Sequence, residues 1–421
     1  MAHLSDPPPT RVAYATALRP GPDRLSGRTG ARSIIEPVTD LVTRAAVARP
    51  TALRRAAPAL LGYAAVRALG LVALAVWSAA RGTSAYTLLT ARWDSLWYAR
   101  VAAGGYGYEV RLPGGDVHSD LAFFPLLPWL ERVLAAVGPL SYADAGFVVS
   151  LLASLAAAWG VFAVVDHVYG PRAGVCAVLL WAVLPVGIVQ SMAYSESLFT
   201  ALAAWSLYCV LTERWPAAGA LALLAGLPRP VGAAVVTAVW AAALASWARG
   251  RATGRPLAPR VLGMLLAPLG AAGYVLWVGH RTGRGPLGYL DVQAGWRNGF
   301  DGGYAFARFV AAKFTAFPAA LAGLALFAGV ALVIGLYVAG VRQRQPLPLL
   351  VYSGVVTALA LCASGYFGSK PRLLLPAFPL LVPLALALAR LRTSRALLVT
   401  GVVALSSAVY GALWLNGSGP P

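Results

Sequence analysis

Apolar runs recur along this sequence almost to its end, and they leave few folds open to it. We count eleven, at residues 57–80, 143–165, 173–190, 196–212, 216–228, 231–248, 261–279, 315–341, 347–365, 373–389 and 396–415. A run of about 20 apolar residues is long enough to cross a bilayer as a helix. Apolar residues make up 59% of the chain and charged residues only 12%, whereas soluble proteins carry about 25% charged residues. The sequence therefore predicts an all-α polytopic membrane protein with about eleven transmembrane helices.

The flanks of these runs define the expected domains. Residues 1–55 have no apolar segment that could serve as a cleaved signal, so we expect a disordered or peripheral cytoplasmic tail there. Residues 56–416 are predicted to form one transmembrane domain, and residues 417–421 a short C-terminal tail. The segment Leu121–Val137 is apolar but contains Pro125 and Pro128, which favours an interfacial or re-entrant helix over a span.

The net charge of +19 would suit a nucleic-acid partner, but its distribution indicates a membrane topology instead. Arg and Lys are spread over the segments between apolar runs, and positive residues accumulate in cytoplasmic loops. We therefore predict a multi-pass protein of the cell membrane with a cytoplasmic N-terminus and no nucleic-acid partner. This topology places the long segments 81–142 and 280–314 on the extracytoplasmic side.

Polar residues of unusual type gather on that predicted outer face. Asp94 is the most conspicuous, because acidic residues number only 15 in 421 and this one lies among aromatics directly after the first span. Beside it in the same segment are Trp93, Trp97 and Tyr98. The other candidates lie in four further segments that the topology brings to the same face: Glu196, Arg229, Gln293, Trp296, Lys370 and Arg372. Ionisable groups at a membrane are costly and usually face a cavity or a partner. The pattern therefore predicts an extracytoplasmic site.

These residue types suit the transfer of a sugar from a lipid phosphate. A carboxylate is needed to take the proton of an acceptor hydroxyl, and Asp94 is the candidate general base. Cations are needed to bind the phosphate and its developing charge, and the candidates are Arg229, Lys370 and Arg372. The remaining candidates would orient the sugars, Trp93, Trp97 and Tyr98 by their aromatic rings and Glu196, Gln293 and Trp296 from the other segments.

Structural roles remain open for the same residues. The aromatics could form an interfacial belt, and Asp94 could pair with Arg92 or Arg100. Glu196 could favour the positive end of a helix starting nearby, and Lys370 and Arg372 could be ordinary boundary residues. Asp116, His118 and Asp120 alternate in a way that could bind a metal, although we predict no cofactor.

Several strings resemble the GPI mannosyltransferase II family (phosphatidylinositol-glycan class V type) and its bacterial relatives. The first are RWDSLWYARVAAGGY, at residues 92–106, and DLAFFPLLPWLERVL, at residues 120–134. The others are YSESLF at 194–199, Pro228-Arg229, Gln293 with Trp296, and Pro371-Arg372 followed by PAFP at 376–379. One departure is Leu373, which stands where the family has an aromatic residue.

The resemblance implies a type C glycosyltransferase fold with a catalytic Asp in the first outer loop. It further implies an inverting transfer, usually of mannose, from a polyprenyl-phosphate donor. We therefore expect a membrane glycosyltransferase, and its acceptor could be a glycolipid, a glycan or a protein hydroxyl. The alternative is a transporter or flippase of lipid-linked sugars. A transporter should carry polar residues through the middle of its spans, and here the spans are nearly free of charge at their centres.

Overall fold

The computed structural model describes residues 52–250 and 257–417. Most of the predicted N-terminal tail and residues 418–421 lie outside the described residues. The described chain is helical apart from a two-stranded antiparallel hairpin, β1 (Glu109–Arg111) and β2 (Val117–Ser119), in which Val110 pairs with His118. The all-α prediction is therefore confirmed.

The described residues form eighteen α-helices, which we number in chain order. They are α1 (Ala52–Ala80), α2 (Ala85–Thr90), α3 (Asp94–Gly104), α4 (Leu126–Val137), α5 (Tyr142–Tyr169), α6 (Pro171–Ala182), α7 (Ser195–Leu211), α8 (Trp215–Ala225), α9 (Ala233–Gly250), α10 (Ala258–Leu266), α11 (Leu269–Thr282), α12 (Gly288–Gly295), α13 (Tyr304–Ala312), α14 (Ala319–Arg342), α15 (Leu347–Cys362), α16 (Lys370–Leu373), α17 (Val382–Arg390) and α18 (Thr393–Leu415).

The apolar helices differ in length more than the sequence predicts. Among the described residues, six helical segments are long and apolar enough to cross a membrane, and the bent pair Phe367–Leu373 and Phe378–Arg390 brings the number to seven. Four further apolar helices, α6, α7, α8 and α15, have only 10–17 residues each. Together these make the eleven predicted segments, but only six or seven have the length of a span. Turns and 3₁₀ segments take up residues that the apolar pattern had assigned to helix.

The first and last helices run parallel to each other, which determines whether the chain crosses the membrane an odd or an even number of times. The C-terminal end of α18 lies beside the C-terminal end of α1, where the Asn416 amide donates to Ser78 Oγ at 3.1 Å and accepts from Thr83 Oγ1 at 2.7 Å. A chain that enters α1 at one face and leaves α18 at the opposite face crosses an odd number of times. Seven or eleven crossings satisfy this condition and six do not.

Small residues allow the central helices to pack closely. A Cβ added at Gly160 of α5 would lie 2.9 Å from the Ala204 Cβ of α7. Small side chains at such contacts are typical of membrane helices, because close approach maximises van der Waals contact. Arg67, buried inside α1, donates to the carbonyls of Ala182 and Gly187, so the break after α6 supplies its partners.

The first loop forms an ordered layer over one end of this bundle. Helix α4 confirms the predicted interfacial segment, since it is short and amphipathic and follows Pro125. The Arg132 side chain of α4 donates from Nε to the Ala102 carbonyl at 2.7 Å, which ties α4 to the C-terminal part of α3. The loop therefore holds α3 in a fixed position.

One carboxyl group in this layer is buried without a partner. Glu131 of α4 is only 1% exposed, and its Oε2 has no hydrogen bond to any residue that the structure describes. A side chain at Gly146 of α5 would clash with Glu131 Oε1, so glycine there leaves room for the carboxyl. Burial raises the pKa of Glu131 from 4.5 to about 9, because an uncompensated charge is unfavourable in that environment.

This raised pKa predicts a pH-dependent stability. Between the ordinary pKa of 4.5 and the folded pKa of about 9, the folded state holds one proton more than the unfolded chain. Stability should therefore fall as pH rises through this window, by up to about 1.4 kcal/mol per pH unit. Glu131→Gln keeps the shape but cannot ionise, so its melting temperature should rise relative to the wild type as pH increases.

The measurement is thermal unfolding of the purified full chain in detergent at several pH values between about 5 and 9. Glu109→Gln, at an exposed position of β1, is the matched control and should follow the wild type. A difference between Glu131→Gln and the wild type that does not change with pH would contradict the assignment of a buried neutral carboxyl.

Candidate active site

Asp94 is the first residue of α3 and follows a strained backbone. Trp93 has φ 54° and ψ −121°, a conformation that non-glycine residues seldom adopt. Such strain persists where the surrounding structure enforces it, and it often marks a functional site. The positive end of the α3 dipole favours a carboxylate at this position. Asp94 keeps 26% of its side chain exposed, so its carboxylate is accessible from the surface of the bundle.

A second carboxylate, Glu196, lies in the first turn of α7 and is almost fully buried. Its side chain is 1% exposed and forms an ion pair with Arg229. Arg229 stands between two prolines after α8, and its extended backbone directs the side chain to the start of α7. Helices α7 and α8 form an antiparallel hairpin, in which Ser206 Oγ donates to the Ala218 carbonyl at 2.8 Å. The hairpin thus brings Glu196 and Arg229 to the same end.

Arg372 connects the two carboxylates. Its Nη1 lies 2.9 Å from Asp94 Oδ2 and its Nε lies 3.2 Å from Glu196 Oε1. The guanidinium carbon also lies 5.1 Å from the ring centroid of Tyr194. Asp94, Arg372, Glu196 and Arg229 therefore form one alternating network of charges, which we call the charge network. Its members come from α3, α16, α7 and the segment after α8.

The charge network is balanced but incompletely hydrogen-bonded. Two carboxylates face two guanidinium groups, so its formal charge is zero. Arg372 Nε and Nη1 and both Glu196 oxygens are buried, and none of them forms an aligned hydrogen bond with a described residue. Buried polar atoms without such bonds are uncommon and call for an explanation. Ion pairs therefore hold the network together, and those of Arg372 with Asp94 and Glu196 measure 2.9 and 3.2 Å.

A cavity of about 460 Å³ opens beside the two arginines. We call it the arginine cavity. Its lining residues include Arg229, Arg372, Gln293 and Asn298, and most of the others are apolar: Pro230, Val231, Ala233, Tyr289, Leu290, Ala294, Gly299, Phe300, Val356, Leu359, Ala360, Ala363, Leu373 and Pro376. Its volume is within the range of ligand pockets, about 300–1,000 Å³. The arginines suit a phosphate and the apolar residues suit the carbon chain attached to it, so the cavity fits an amphiphilic ligand.

The aromatic candidates pack together beside the start of α3. Trp97 stacks on Phe123 with ring centroids 5.5 Å apart, and the edge of Trp296 approaches it with centroids 4.9 Å apart. Tyr98 is buried, and its hydroxyl lies 2.7 Å from Ser195 Oγ, next to Glu196. The structure thus brings Trp97, Tyr98 and Trp296 into one aromatic cluster, which supports the loop that carries Asp94.

Gln293 lies on the wall of the arginine cavity and is held from both sides. Its Nε2 donates to the Tyr289 hydroxyl at 2.6 Å, and its Oε1 accepts from Asn298 Nδ2 at 2.7 Å. Asn298, which the sequence did not indicate, therefore fixes the orientation of a predicted site residue. Its only sequence signal is its place in a polar turn after α12.

The contacts of Lys370 and Trp93 are with residues outside the charge network. Lys370 is 3% exposed, and its Nζ donates at 2.8 Å to the carbonyls of both Ala360 and Ala363. The ammonium thus caps the C-terminal end of α15, where the helix dipole favours a cation. Trp93 packs with the Arg92 guanidinium 3.8 Å from its ring centroid.

Arg92 and Arg100, the other possible ion-pair partners of Asp94, contact other groups. Arg92 donates to the carbonyls of Leu415 and Gly417 at 2.8 and 2.9 Å. Arg100 lies over the Tyr108 ring, 3.6 Å from its centroid. The cation that pairs with Asp94 is Arg372, which is 278 positions away in the sequence.

The alternating residues of the hairpin do not share a metal site. Asp116 forms an ion pair with Arg297, His118 stacks on Trp296, and Asp120 accepts from the backbone amides of Gly107 and Tyr108. In the described ranges 52–250 and 257–417, no group of three or more His, Cys, Asp or Glu residues could hold a metal ion.

Comparisons with known proteins give only distant similarities. No family model matches the chain and no curated protein matches it in sequence, so the resemblance to the GPI mannosyltransferase II family stays a prediction. ArnT from Cupriavidus metallidurans bound to undecaprenyl phosphate matches with 16% identity and a TM-score of 0.49, over 82% of this chain and 62% of that chain. The apo form of ArnT matches with 16% identity and a TM-score of 0.46, over 73% and 56%.

A third similar structure is the oligosaccharyltransferase of Archaeoglobus fulgidus in complex with zinc and sulfate. It matches with 16% identity and a TM-score of 0.42, over 85% of this chain and 53% of that chain. This chain therefore spans less than two thirds of the length of each of these structures.

Proposed function

We propose that the protein is a membrane glycosyltransferase that moves a sugar from a polyprenyl-phosphate donor to an acceptor hydroxyl. The observation that carries the proposal is the charge network beside the arginine cavity. It joins a partly exposed carboxylate to two cations on the wall of an apolar pocket. A base and a phosphate site in contact are what such a transfer requires.

In this mechanism Asp94 takes the proton of the acceptor hydroxyl as its oxygen attacks the anomeric carbon. The bond from that carbon to the phosphate oxygen breaks, and the polyprenyl phosphate leaves with the electron pair. Arg229 and Arg372 bind the phosphate and stabilise the charge that develops on it. A single displacement of this kind inverts the anomeric carbon.

The other predicted residues have supporting roles in the proposal. Glu196 holds both arginines in place through its ion pairs, and Gln293 offers its amide at the wall of the arginine cavity. Tyr98, Trp97 and Trp296 order the loop around Asp94. Lys370 is bound to backbone carbonyls, so we assign it to the stability of α15 rather than to the donor phosphate. The sugar that the sequence resemblance favours is mannose, and we place the reaction at the extracytoplasmic face.

The test is transfer in reconstituted vesicles. The purified full chain is incubated with radiolabelled polyprenyl-phosphate mannose and a membrane extract that supplies acceptors. We expect the radiolabel to appear in a product that is distinct from the lipid donor. Vesicles that carry Asp94→Asn should give only background transfer. Transfer from a polyprenyl-phosphate glucose or arabinose alone would correct the sugar. If none of these donors is used and the intact donor instead moves across the vesicle membrane, the transferase proposal is wrong and the protein is a transporter.

A further inference from the structure

A second cavity, of about 590 Å³, takes no part in the mechanism above. We call it the outer cleft. Three segments that are distant in sequence line it: the turn and second strand of the hairpin, the residues after α12, and the turn after α15. The lining residues are Leu112, Pro113, Gly114, Asp116, His118, Trp296, Arg297, Ser364, Gly365 and Tyr366.

Polar contacts connect the three walls of the outer cleft. The Trp296 indole donates to the Ser119 carbonyl at 3.0 Å, and Arg297 Nε lies 2.5 Å from Asp116 Oδ2. On the other side, the Ser364 amide donates to the Gly299 carbonyl at 2.9 Å. The cleft is therefore held open by its own walls, and a ligand would find it already formed.

The backbone of this cleft is strained at two positions. Arg297 has φ 52° and Tyr366 has φ 50°, in the left-handed region that side chains other than glycine seldom adopt. Between these two walls, a Cβ at Gly365 would lie only 2.5 Å from the Arg297 carbonyl oxygen. Strain of this kind clusters at ligand sites, where the surrounding contacts maintain it. Its presence on two facing walls favours a binding role over an incidental gap.

The chemistry of the cleft suits a sugar ring. His118 and Trp296 are stacked face to face, with an angle of 10° between the ring planes and 4.0 Å between the centroids. Both line the cleft, so this pair of stacked rings is a platform that offers one outer ring face to a flat ligand. Burial lowers the pKa of His118, so the imidazole is neutral at neutral pH and the platform carries no charge. A carboxylate, a guanidinium and a hydroxyl surround it, from Asp116, Arg297 and Ser364. A pyranose offers the matching surface, with C–H groups on its face and hydroxyls at its edge.

Tyr366 relates the outer cleft to the proposed base. It lines the cleft, and burial together with the nearby Asp94 carboxylate raises its pKa to about 12. Trp296, another residue of the cleft, contacts Trp97 with ring centroids 4.9 Å apart, and Trp97 lies three residues after Asp94 in α3. Tyr366 precedes Arg372, the ion-pair partner of Asp94, by six residues, so the walls of the cleft adjoin the elements that carry the proposed base. The arginine cavity is a separate pocket, since Arg229 and Arg372 line it and Tyr366 does not.

We propose that the outer cleft binds the acceptor, and that the acceptor group is a neutral hexopyranoside at the end of a glycan or glycolipid. The ring would lie on the His118–Trp296 platform, its hydroxyls bound by Asp116 and Arg297, with one hydroxyl directed past Tyr366 towards Asp94. This inference rests on the proposed function for the identity of the reaction, but the binding of a sugar in the cleft can be measured without turnover.

The experiment uses saturation-transfer difference NMR on the purified full chain in a detergent without sugar groups, with methyl α-mannopyranoside and methyl α-glucopyranoside as probes. His118→Ala removes half of the platform and should weaken binding about tenfold or more, which corresponds to about 1.4 kcal/mol. The matched control is His280→Ala, an exposed histidine at the C-terminal end of α11, and it should bind as the wild type does. Equal binding by the wild type and His118→Ala, or no binding to either, overturns the inference.

Turnover separates this inference from the proposed function. With an active donor, His118→Ala should raise the acceptor KM about tenfold and leave the donor KM unchanged. If a Ser- and Thr-rich peptide accepts the sugar as well as a glycan does, and His118→Ala leaves its KM unchanged, the acceptor assignment is overturned and the transferase stands. If sugars bind in the cleft but no donor is turned over, the transferase is overturned and the binding site stands.

Discussion

Asp94→Asn should lower the turnover of the enzyme by about 10²–10⁴, the range expected when a general base is removed. The amide has nearly the shape of the carboxylate but cannot accept the acceptor's proton. Arg372 also loses one of its two anionic partners, although Glu196 remains 3.2 Å from its Nε. Donor binding should therefore persist. The measurements are single-turnover transfer rates and, separately, the stabilisation of the protein by polyprenyl phosphate in a thermal unfolding assay.

Asp291→Asn is the matched control for this variant. Asp291 lies in α12, on an exposed part of the second outer segment, and the substitution makes the same change of charge. It should leave the turnover at the wild-type level. Turnover by Asp94→Asn within a few-fold of the wild type, with normal insertion of the protein, would remove Asp94 from the role of base.

Arg372→Lys should lower turnover by about 10²–10³, similar to the loss when one stabilising donor of an oxyanion is removed. Lysine keeps the charge but offers one ammonium where the guanidinium reaches Asp94 and Glu196 at the same time. The donor phosphate then loses its oriented donors, so the donor KM should rise together with the fall in turnover. Because the charge is kept, Glu196 and Asp94 are not left facing each other without a cation.

Two measurements keep this prediction separate from a folding defect. The melting temperature of Arg372→Lys should stay close enough to the wild type for the protein to be folded at the assay temperature. Arg342→Lys, at the C-terminal end of α14, makes the same substitution away from the site and should not alter the donor KM. A folded Arg372→Lys protein with wild-type kinetics would contradict the phosphate-binding role of Arg372.

The apolar pattern was sufficient to predict the helical class and the interfacial helix, because both follow from periodicity and length. It did not predict that four of the eleven segments form helices of only 10–17 residues. Helix α6, for example, ends at Ala182, and a 3₁₀ segment follows at Gly187–Ser191. Pro185 lies in the break and is a helix-breaking residue, but the apolar run continues on both sides of it, so the run was counted as one helix. The break is needed because the carbonyls of Ala182 and Gly187 accept from the buried Arg67.

The residue types indicated that cations should meet the carboxylates of the site. They did not indicate which of two neighbouring cations would do so. Lys370 and Arg372 are two positions apart, and both were predicted to bind phosphate. Only Arg372 contacts the charge network, whereas Lys370 donates to the end of α15. That difference depends on the direction of a four-residue helix, which no periodicity in a short turn can reveal. Tyr366 and Asn298 were missed for the same reason, since their importance comes from contacts across distant segments.

The closed pairing of the first and last helices has a consequence for biosynthesis. Arg92, two residues before Asp94, donates to the carbonyls of Leu415 and Gly417. Arg372, the ion-pair partner of Asp94, also comes late in the chain. During synthesis, the segment that carries Asp94 is therefore complete long before the residues that pair with it and order it have been translated. Under the proposed mechanism, a partly synthesised chain therefore has no assembled centre with which to consume the donor.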